Sequence, residues 1–407
     1  MPEVVYNMQC VILAAGEGKR MRPLTASRPK VMLPVANRPM LEHLVVSVRE
    51  TGISDFVFVV GYREQEIRDY FGDGGWLGVK IQYTVQRKQR GTADALNTAR
   101  DFLTGDFLML NGDMIVLPDD IKRFCGMKPP CIAVFESERP EEFGVVTVEG
   151  EMVSGLVEKS PNPPGNLINA GAYLLAPDIF EKIDLIELSE RGEFELTDAL
   201  QPFIQSGLLS VCRLSSWCDI GEPWNLLDAN ESFLSSVSEV NEGEIEDYVV
   251  IKGPVVIGKG SIIRSGSYIE GPCIIGDNCM IGPHAYIRPS TSIGDGCHVG
   301  HSSEIKNSVI MHETKIPHFN YVGDSVIGSG CNFGAGSKIA NLRHDRRNVK
   351  SAGRDTGRKK FGAVVGDNVQ LGINCSVNVG TIIGSGVMAA PGSFLEGNIA
   401  EKTRIGR

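Results

Sequence analysis

Between Val249 and Leu395 apolar residues return at every sixth position, at Ile257, Ile263, Ile269, Ile275, Ile281, Ile287, Ile293, Val299 and Ile305. From Ile263 on, a small residue stands two places before each: Ser261, Ser267, Cys273, Cys279, Ala285, Thr291, Cys297 and Ser303. The register resumes at Ile327, Phe333 and Ile339, and again at Val365, Leu371, Val377, Ile383, Ala389 and Leu395. A strict six-residue period is the mark of a hexapeptide β-helix, whose apolar residue points into a prism while the small one fits the turn. Three hexads close one coil, which predicts about eight or nine coils. The repeat also accounts for half of the ten cysteines. Cys273, Cys279, Cys297, Cys331 and Cys375 occupy the small slot, and no C-x-x-C pair occurs, so packing is expected rather than disulfides or zinc.

Before Trp224 the pattern is different. "CVILAA", "DFVFVVG", "VKIQYT" and "FLMLNGD" read as strands. Leu41, Leu44, Val45 and Val48 fall on one helical face ended by Gly52, and "GTADALNTARDFL" reads as a second helix with Thr92 as its cap. Strand–helix alternation predicts a mostly parallel sheet covered on both faces, with ligands at the carboxyl ends of its strands. Residues 131–160 alternate over shorter distances and are expected as an antiparallel insertion beside that sheet. The polar segment 230–247 is expected as a linker, dividing the chain into 1–229 and 248–407. A chain of 407 residues needs more than one core, and its net charge of −10 argues against a nucleic-acid partner. No apolar run approaches the roughly 20 residues that span a bilayer, and no signal-type segment opens the chain, so no membrane partner and a cytoplasmic location are expected.

One stretch of the first half carries chemistry. "LAAGEGKRMRPLTASRPK" places Gly16 and Gly18 after a strand, but Met21 stands where a dinucleotide fingerprint would have its third glycine. Lys19, Arg20, Arg22, Arg28 and Lys30 crowd around it instead. Glycines let backbone N–H groups approach phosphates, and cations neutralise them. Asp113 in "NGD" and Asp219 in "WCDIGEP" are carboxylates suited to a hard divalent ion such as Mg²⁺.

These motifs resemble the signature of sugar-1-phosphate nucleotidylyltransferases. With the hexapeptide half, the whole chain resembles the archaeal-type bifunctional sugar-1-phosphate nucleotidylyltransferase/amino-sugar-1-phosphate N-acetyltransferases. The resemblance implies an α/β class: a Rossmann-like nucleotidyltransferase domain followed by a left-handed parallel β-helix, usually trimeric. It implies UTP or dTTP and a sugar-1-phosphate as substrates, with Mg²⁺ on Asp113 and Asp219. Leu13, Ala14, Ala15, Gly16 and Gly18 would line the nucleotide, while Gln86, Gly91 and Thr92 would read the base. Arg20 would stabilise departing pyrophosphate, and Lys30 would bridge the reacting phosphates. Gly144, Glu158, Lys159 and Asn169 match the positions that hold the sugar and its phosphate.

In the prism the resemblance implies N-acetylation of glucosamine-1-phosphate, with acetyl-CoA as co-substrate. His318, expected in a slip of the hexad register within "KIPHFNYVGD", would be the base, because imidazole titrates in the right range. Tyr321 keeps the family spacing. Arg288 and Lys306 match cations that hold the amino-sugar phosphate, and Asn332 and Asn341 match asparagines near acceptor and donor. Lys359 or Lys360 stands roughly at a phosphate-binding lysine, within the basic stretch 342–361, which reads either as an anion-binding lid or as a solvated loop. Two other functions fit the same residues. One is a glucose-1-phosphate thymidylyl- or uridylyltransferase whose prism only assembles a homotrimer; the other is a non-catalytic sugar-nucleotide sensor.

Overall fold

The computed structural model describes residues 8–406. The chain forms two compact units. The first runs up to Glu17 and takes in Pro29–Met32 and Met40–Asp219; the second holds Gly18–Arg28, Leu33–Pro39 and everything from Ile220 on.

The first unit is built on a nine-stranded sheet. Its strands are β1 (Gln9–Ala14), β2 (Asp55–Val60), β3 (Lys80–Val85), β4 (Phe107–Asn111), β5 (Cys131–Glu136), β6 (Gly144–Glu149), β7 (Met152–Glu158), β8 (Leu167–Leu175) and β9 (Ser210–Arg213). Their order is β3-β2-β1-β4-β8-β5-β9-β7-β6. The first four are parallel, and β8 runs antiparallel to both β4 and β5. Alternate residues of β1 enter opposite cores: Cys10, Ile12 and Ala14 join one, Val11 the other. Burial on both faces is why β1, β2 and β4 read as continuous apolar runs, whereas β3, at the sheet edge, is mostly half-buried.

Two expectations change here. Residues 131–158 do not lie beside the sheet; β5, β6 and β7 are members of it, with β6 and β7 forming an antiparallel hairpin at its edge. Thr92 does not cap its helix. Gly91 holds that place, and Thr92 Oγ1 accepts from the backbone N–H of Leu196 at 3.0 Å.

The second unit is a three-sided prism of two nine-stranded sheets and one eight-stranded sheet, each linking every third strand in parallel. Ile257 pairs with Ile275, and Ile275 with Ile293, all fully or almost fully buried. The small slot has a chemical cause as well as a steric one. Ser261 Oγ donates to Gly276 O at 2.6 Å, Thr314 Oγ1 to Gly328 O at 2.7 Å and Ser337 Oγ to Gly372 O at 3.0 Å. The thiols of Cys279, Cys297 and Cys331 make the same contact, to Gly294 O, Met311 O and Gly366 O, at 3.2, 3.1 and 3.1 Å. A short donor side chain thus satisfies a corner carbonyl of the next coil that would otherwise be buried unpaired.

Between Ile293 and Ile327 the hexad register slips in two places, and neither is at His318. Ile293 pairs with Ile310, and Ile310 with Ile327, each one residue short of the earlier step. The missing residues fall at the corners around Asn307 and Asp324, both in the left-handed region with φ 42° and 51°. His318 instead ends a regular strand, Lys315–His318, paired with His301.

Part of the expected linker is ordered as helix Asn225–Leu234, with Leu226, Leu227 and Leu234 buried, followed by strands Val240–Asn241 and Glu244–Ile245 of the first coil. The basic stretch 342–361 is neither a coil nor a bare solvated loop. It leaves the prism after Ile339 and folds as a hairpin, Lys350–Ser351 with Arg354–Asp355. Val349 and Phe361 are fully buried, and Phe361 meets Trp224 edge-on at 6.0 Å.

Candidate functional site

In the first unit the structure brings Lys30, Asp113 and Asp219 together. Asp113 follows β4 in the turn before strand Met114–Val116, and Asp219 ends strand Trp217–Asp219, which pairs antiparallel with it. Lys30 Nζ lies 2.5 Å from Asp113 Oδ2 and 3.9 Å from Asp219 Oδ1. The lysine side chain is 10% exposed, whereas the two carboxylates keep 35% and 21%. Gly112 is required at this strand end, since a Cβ there would meet Leu13 O at 2.8 Å. Among the described residues no three His, Cys, Asp or Glu side chains converge as a ready-made metal site. Two accessible carboxylates sharing one cation do suit Mg²⁺, which takes much of its shell from water and phosphate.

The loop after β1 is shaped for close approach. Ala15 O accepts from the Tyr62 N–H at 3.2 Å and from Gln89 Nε2 at 2.7 Å, and no heavy atom lies within 4 Å of a Cβ built on Gly16. Gln89 was not among the expected residues. Leu13 and Ala14 are the last residues of β1. Gln86 is buried, and its Nε2 donates to Gly91 O at 3.1 Å and Asp94 Oδ2 at 2.8 Å. Gly91, at φ 108°, is demanded by the chain itself, because a Cβ would lie 2.3 Å from Phe194 O. Gly18 and Arg20 belong to the second unit, where Arg20 Nη1 stands 3.8 Å from Glu222 Oε1 with its side chain 55% exposed.

The sugar candidates Gly144, Glu158 and Asn169 also converge. Gly144 pairs with Glu158 across the β6–β7 hairpin, and a Cβ on Gly144 would stand 2.6 Å from Glu158 Oε2 and 3.7 Å from Asn169 Cβ. Asn169 sits where β8 bulges; its Nδ2 donates to the Tyr173 hydroxyl at 2.6 Å, and its Oδ1 accepts from the Gly171 N–H at 3.0 Å. Arg191, missed in the sequence, reaches Glu158 Oε1 and Glu195 Oε1, each at 3.3 Å. Burial raises the carboxyl of Glu195 above its ordinary range. Lys159 is exposed at φ 42°, and its backbone N–H donates to Phe143 O at 3.1 Å.

In the prism the centre of the constellation is Asp324, whose side chain is 3% exposed. It accepts from Lys306 Nζ at 3.2 Å, Asn307 Nδ2 at 2.8 Å and Asn341 Nδ2 at 2.5 Å. Asn341 also donates to the Tyr321 hydroxyl at 3.0 Å. Burial, then Asp324 and Glu304, push the Tyr321 phenol up. Arg288 donates to Glu304 Oε1 at 2.9 Å, on the strand that pairs with Tyr321, and that bond raises its pKa. The shortened corners explain the convergence: Asn307 and Asp324 turn one residue early, stacking Lys306, Asp324 and Asn341 on successive coils.

Besides Arg288, whose side chain reaches Glu304, three candidates are not joined to this cluster by any described hydrogen bond or ion pair. His318 is exposed, and its carbonyl accepts from the Gly336 N–H at 2.9 Å. Its charge and that of Lys315, after burial, lower the pKa of His298. Asn332 pairs with Lys315 on that same sheet. Lys360 is exposed at a bridge to Leu342. Two arginines of the inserted hairpin are already engaged: Arg354 pairs with Glu222 and Arg358 with Asp228.

Residues 9–236 match the nucleotidyl transferase family, and residues 269–385 match the GMPPB C-terminal domain family. The chain is 42% identical over 98% of its length to a bifunctional protein GlmU of Methanocaldococcus jannaschii, of which it covers 97%. It is 38% identical over 96% of its length to a bifunctional sugar-1-phosphate nucleotidylyltransferase/acetyltransferase of Sulfurisphaera tokodaii, covering 98% of that protein. A crystal structure of a putative glucose-1-phosphate thymidylyltransferase from Bacillus anthracis aligns with a TM-score of 0.53 and 28% identity, over 57% of this chain and 98% of that one. Relatives that match both units end to end leave one assignment: the chain belongs to the family of bifunctional sugar-1-phosphate nucleotidylyltransferase/acetyltransferases of the GlmU type.

Proposed function

We propose that the first unit transfers a uridylyl or thymidylyl group from UTP or dTTP to a sugar-1-phosphate, and that the prism N-acetylates glucosamine-1-phosphate with acetyl-CoA. The observation that carries the first reaction is Lys30, its side chain only 10% exposed and held between Asp113 and Asp219. In that reaction a sugar-phosphate oxygen attacks the α-phosphorus and the bond to pyrophosphate breaks. Lys30 neutralises the charge that both reactants bring, and its two carboxylate partners keep it from swinging away. Asp113 and Asp219 would hold Mg²⁺, which supplies Lewis-acid charge compensation on the phosphates when bound. Gly16 and Gly18 admit the phosphates to backbone N–H groups, and Arg20 takes up pyrophosphate charge. Glu158 and Asn169 accept from and donate to sugar hydroxyls. Gly144 leaves the space for them, and Lys159 meets the sugar phosphate.

In the second reaction the amine of glucosamine-1-phosphate attacks the thioester carbonyl. His318 takes the amine proton, and coenzyme A leaves as its thiolate and is protonated. Arg288 and Lys306 bind the sugar phosphate, with Tyr321 and Asn341 beside them; Asn332 and Lys360 lie on the donor side. The prism is left-handed and trimeric in this reading, and the enzyme works in the cytoplasm. Acetylation comes first, and its product feeds nucleotidyl transfer.

The test uses purified protein with acetyl-CoA and a panel of hexosamine-1-phosphates, following free thiol, and then UTP or dTTP, following pyrophosphate. Saturable thiol release that disappears in His318→Ala is the expected result. Pyrophosphate release without thiol release would reduce the prism to a scaffold. Neither product would leave a non-catalytic sensor.

A further inference from the structure

Five cations crowd the signature stretch, and the reading above gives Arg28 no substrate. The structure gives it a different partner. Within the second unit, Arg28 Nη2 donates to Asp367 Oδ2 at 2.8 Å and to Ser329 Oγ at 3.3 Å, while its Nη1 lies 3.0 Å from Met311 Sδ. The arginine side chain is 17% exposed and the aspartate 7%. The neighbouring Ser27 hydroxyl donates to the same carboxylate oxygen. Asp367 is fixed from behind as well. Its Oδ1 accepts from the Ser329 N–H at 2.8 Å, and its own N–H donates to Ser385 Oγ at 3.1 Å. The carboxylate is therefore part of two successive prism coils before it meets the loop.

A second tether acts on the same segment. Glu222 Oε1 lies 3.8 Å from Arg20 Nη1 and also accepts from Arg354 of the inserted hairpin. Gly18–Arg28 is thus held at both ends by residues far along the chain, Arg28 and Asp367 being 339 positions apart. Asp367 occupies the residue after the hexad glycine Gly366. At the equivalent places Asp277 and Asp295 use Oδ1 to accept from the backbone N–H groups of Lys259 and Asp277, at 2.8 and 2.9 Å, and Asp295 Oδ2 lies 3.6 Å from His312 Nδ1. Asp367 repeats that corner bond with Oδ1 and turns Oδ2 to the loop, so one prism position combines a structural and a positioning contact.

We propose that Asp367 and Arg28 are positioning residues for nucleotidyl transfer: the prism coil fixes the loop that carries Arg20 and leads two residues later into Lys30. The inference rests on the proposed role of Lys30 and Arg20. A buried, hydrogen-bonded ion pair is suited to such a task because removing one partner leaves a charge with no replacement for it. Lys30 follows the tethered Arg28 by two residues along the chain, and its placement depends through that short segment on Asp367.

Arg28→Ala, Asp367→Asn and the double variant are compared with the parent protein in two assays: pyrophosphate release with UTP or dTTP, and thiol release from acetyl-CoA. Misplacement of a reacting group by about an ångström costs roughly a hundredfold. Each single variant is expected to lower kcat for pyrophosphate release by roughly 10- to 100-fold. The double variant should be no worse than the poorer single, and thiol release should stay within about twofold of the parent. Asp367→Glu, which keeps the charge, should recover most of the rate, a rescue that mere loss of coil stability would not give. Parent-like kcat in the single variants, losses that multiply in the double, or parallel loss of thiol release would each overturn the proposal. Absence of pyrophosphate release in the parent would instead remove the assigned function on which it rests.

Discussion

Lys30 Nζ stands 2.5 Å from Asp113 Oδ2, a contact between a nearly buried ammonium and a carboxylate that solvent still reaches. The asymmetry sets what each residue can do. The lysine is fixed in place, and the aspartate remains open to a ligand. Asp113→Asn keeps the shape but removes the charge that both Lys30 and a divalent ion require. Pyrophosphate release should fall at least ~100-fold, while thiol release by the prism should be unchanged. Steady-state assays of both products on one preparation check this, and parallel loss of both would refute separate sites.

Gly144 offers a steric test of the sugar subsite. A methyl group there would stand 2.6 Å from Glu158 Oε2, inside contact distance. Gly144→Ala must push Glu158 aside, towards or away from Arg191. The expected result is a sugar-1-phosphate KM raised by about tenfold, with the KM for nucleoside triphosphate little altered. Equal rises in both constants would mean that Glu158 does not face the sugar.

The hexad repeat made the prism legible because each turn of the coil imposes one apolar slot and one small slot, so the sequence carries the geometry directly. Strands β1, β2 and β4 were equally plain, being buried on both faces. What stayed hidden is pairing between distant residues. Nothing near Arg28 announces Asp367, and nothing near Glu158 announces Arg191. The register error at His318 has a related cause. Lys306–Ser308 and Gly323–Ser325 each lose one residue at a corner, and counting in sixes spreads that loss over the segment between them. The inserted hairpin escaped for a third reason: its charges dominate its composition, while Val349 and Phe361, which anchor it, are isolated among cations.

Asp324 carries the prism cluster. Asp324→Asn should leave Lys306 without its carboxylate and put an amide against Asn307 and Asn341, both of which are donors. Loss of one member of a buried pair costs about 3–5 kcal/mol, so the melting temperature should drop along with thiol release. His318→Ala is expected to differ. An exposed side chain with no described hydrogen-bond partner should cost almost no stability, while removing the base abolishes thiol release. Thermal unfolding of both variants beside the thiol assay separates the two roles; a normal acetylation rate in His318→Ala would exclude it as the base.

The cysteines give a test of the prism that needs no substrate. Burial raises the thiols of Cys273 and Cys331 to about 12 and that of Cys279 to about 11, against 9.0 for an unburied thiol. The sign follows from linkage. Below pH 9 the thiols are protonated in both folded and unfolded chains, and their contribution to stability is complete. Above it the unfolded chain ionises while the folded one does not, so stability falls progressively until the folded thiols titrate near pH 11 to 12. The melting temperature should therefore decline steeply through that alkaline window, and Cys273→Ser with Cys331→Ser should soften the decline. Near neutral pH, alkylation followed by mass analysis should label Cys218, the one half-buried cysteine among ten, and spare the nine buried thiols until the chain unfolds. Rapid labelling of Cys273, Cys279 or Cys331 in the folded protein would show that these thiols do not donate into the corner carbonyls, and the chemical account of the small slot would fall with it.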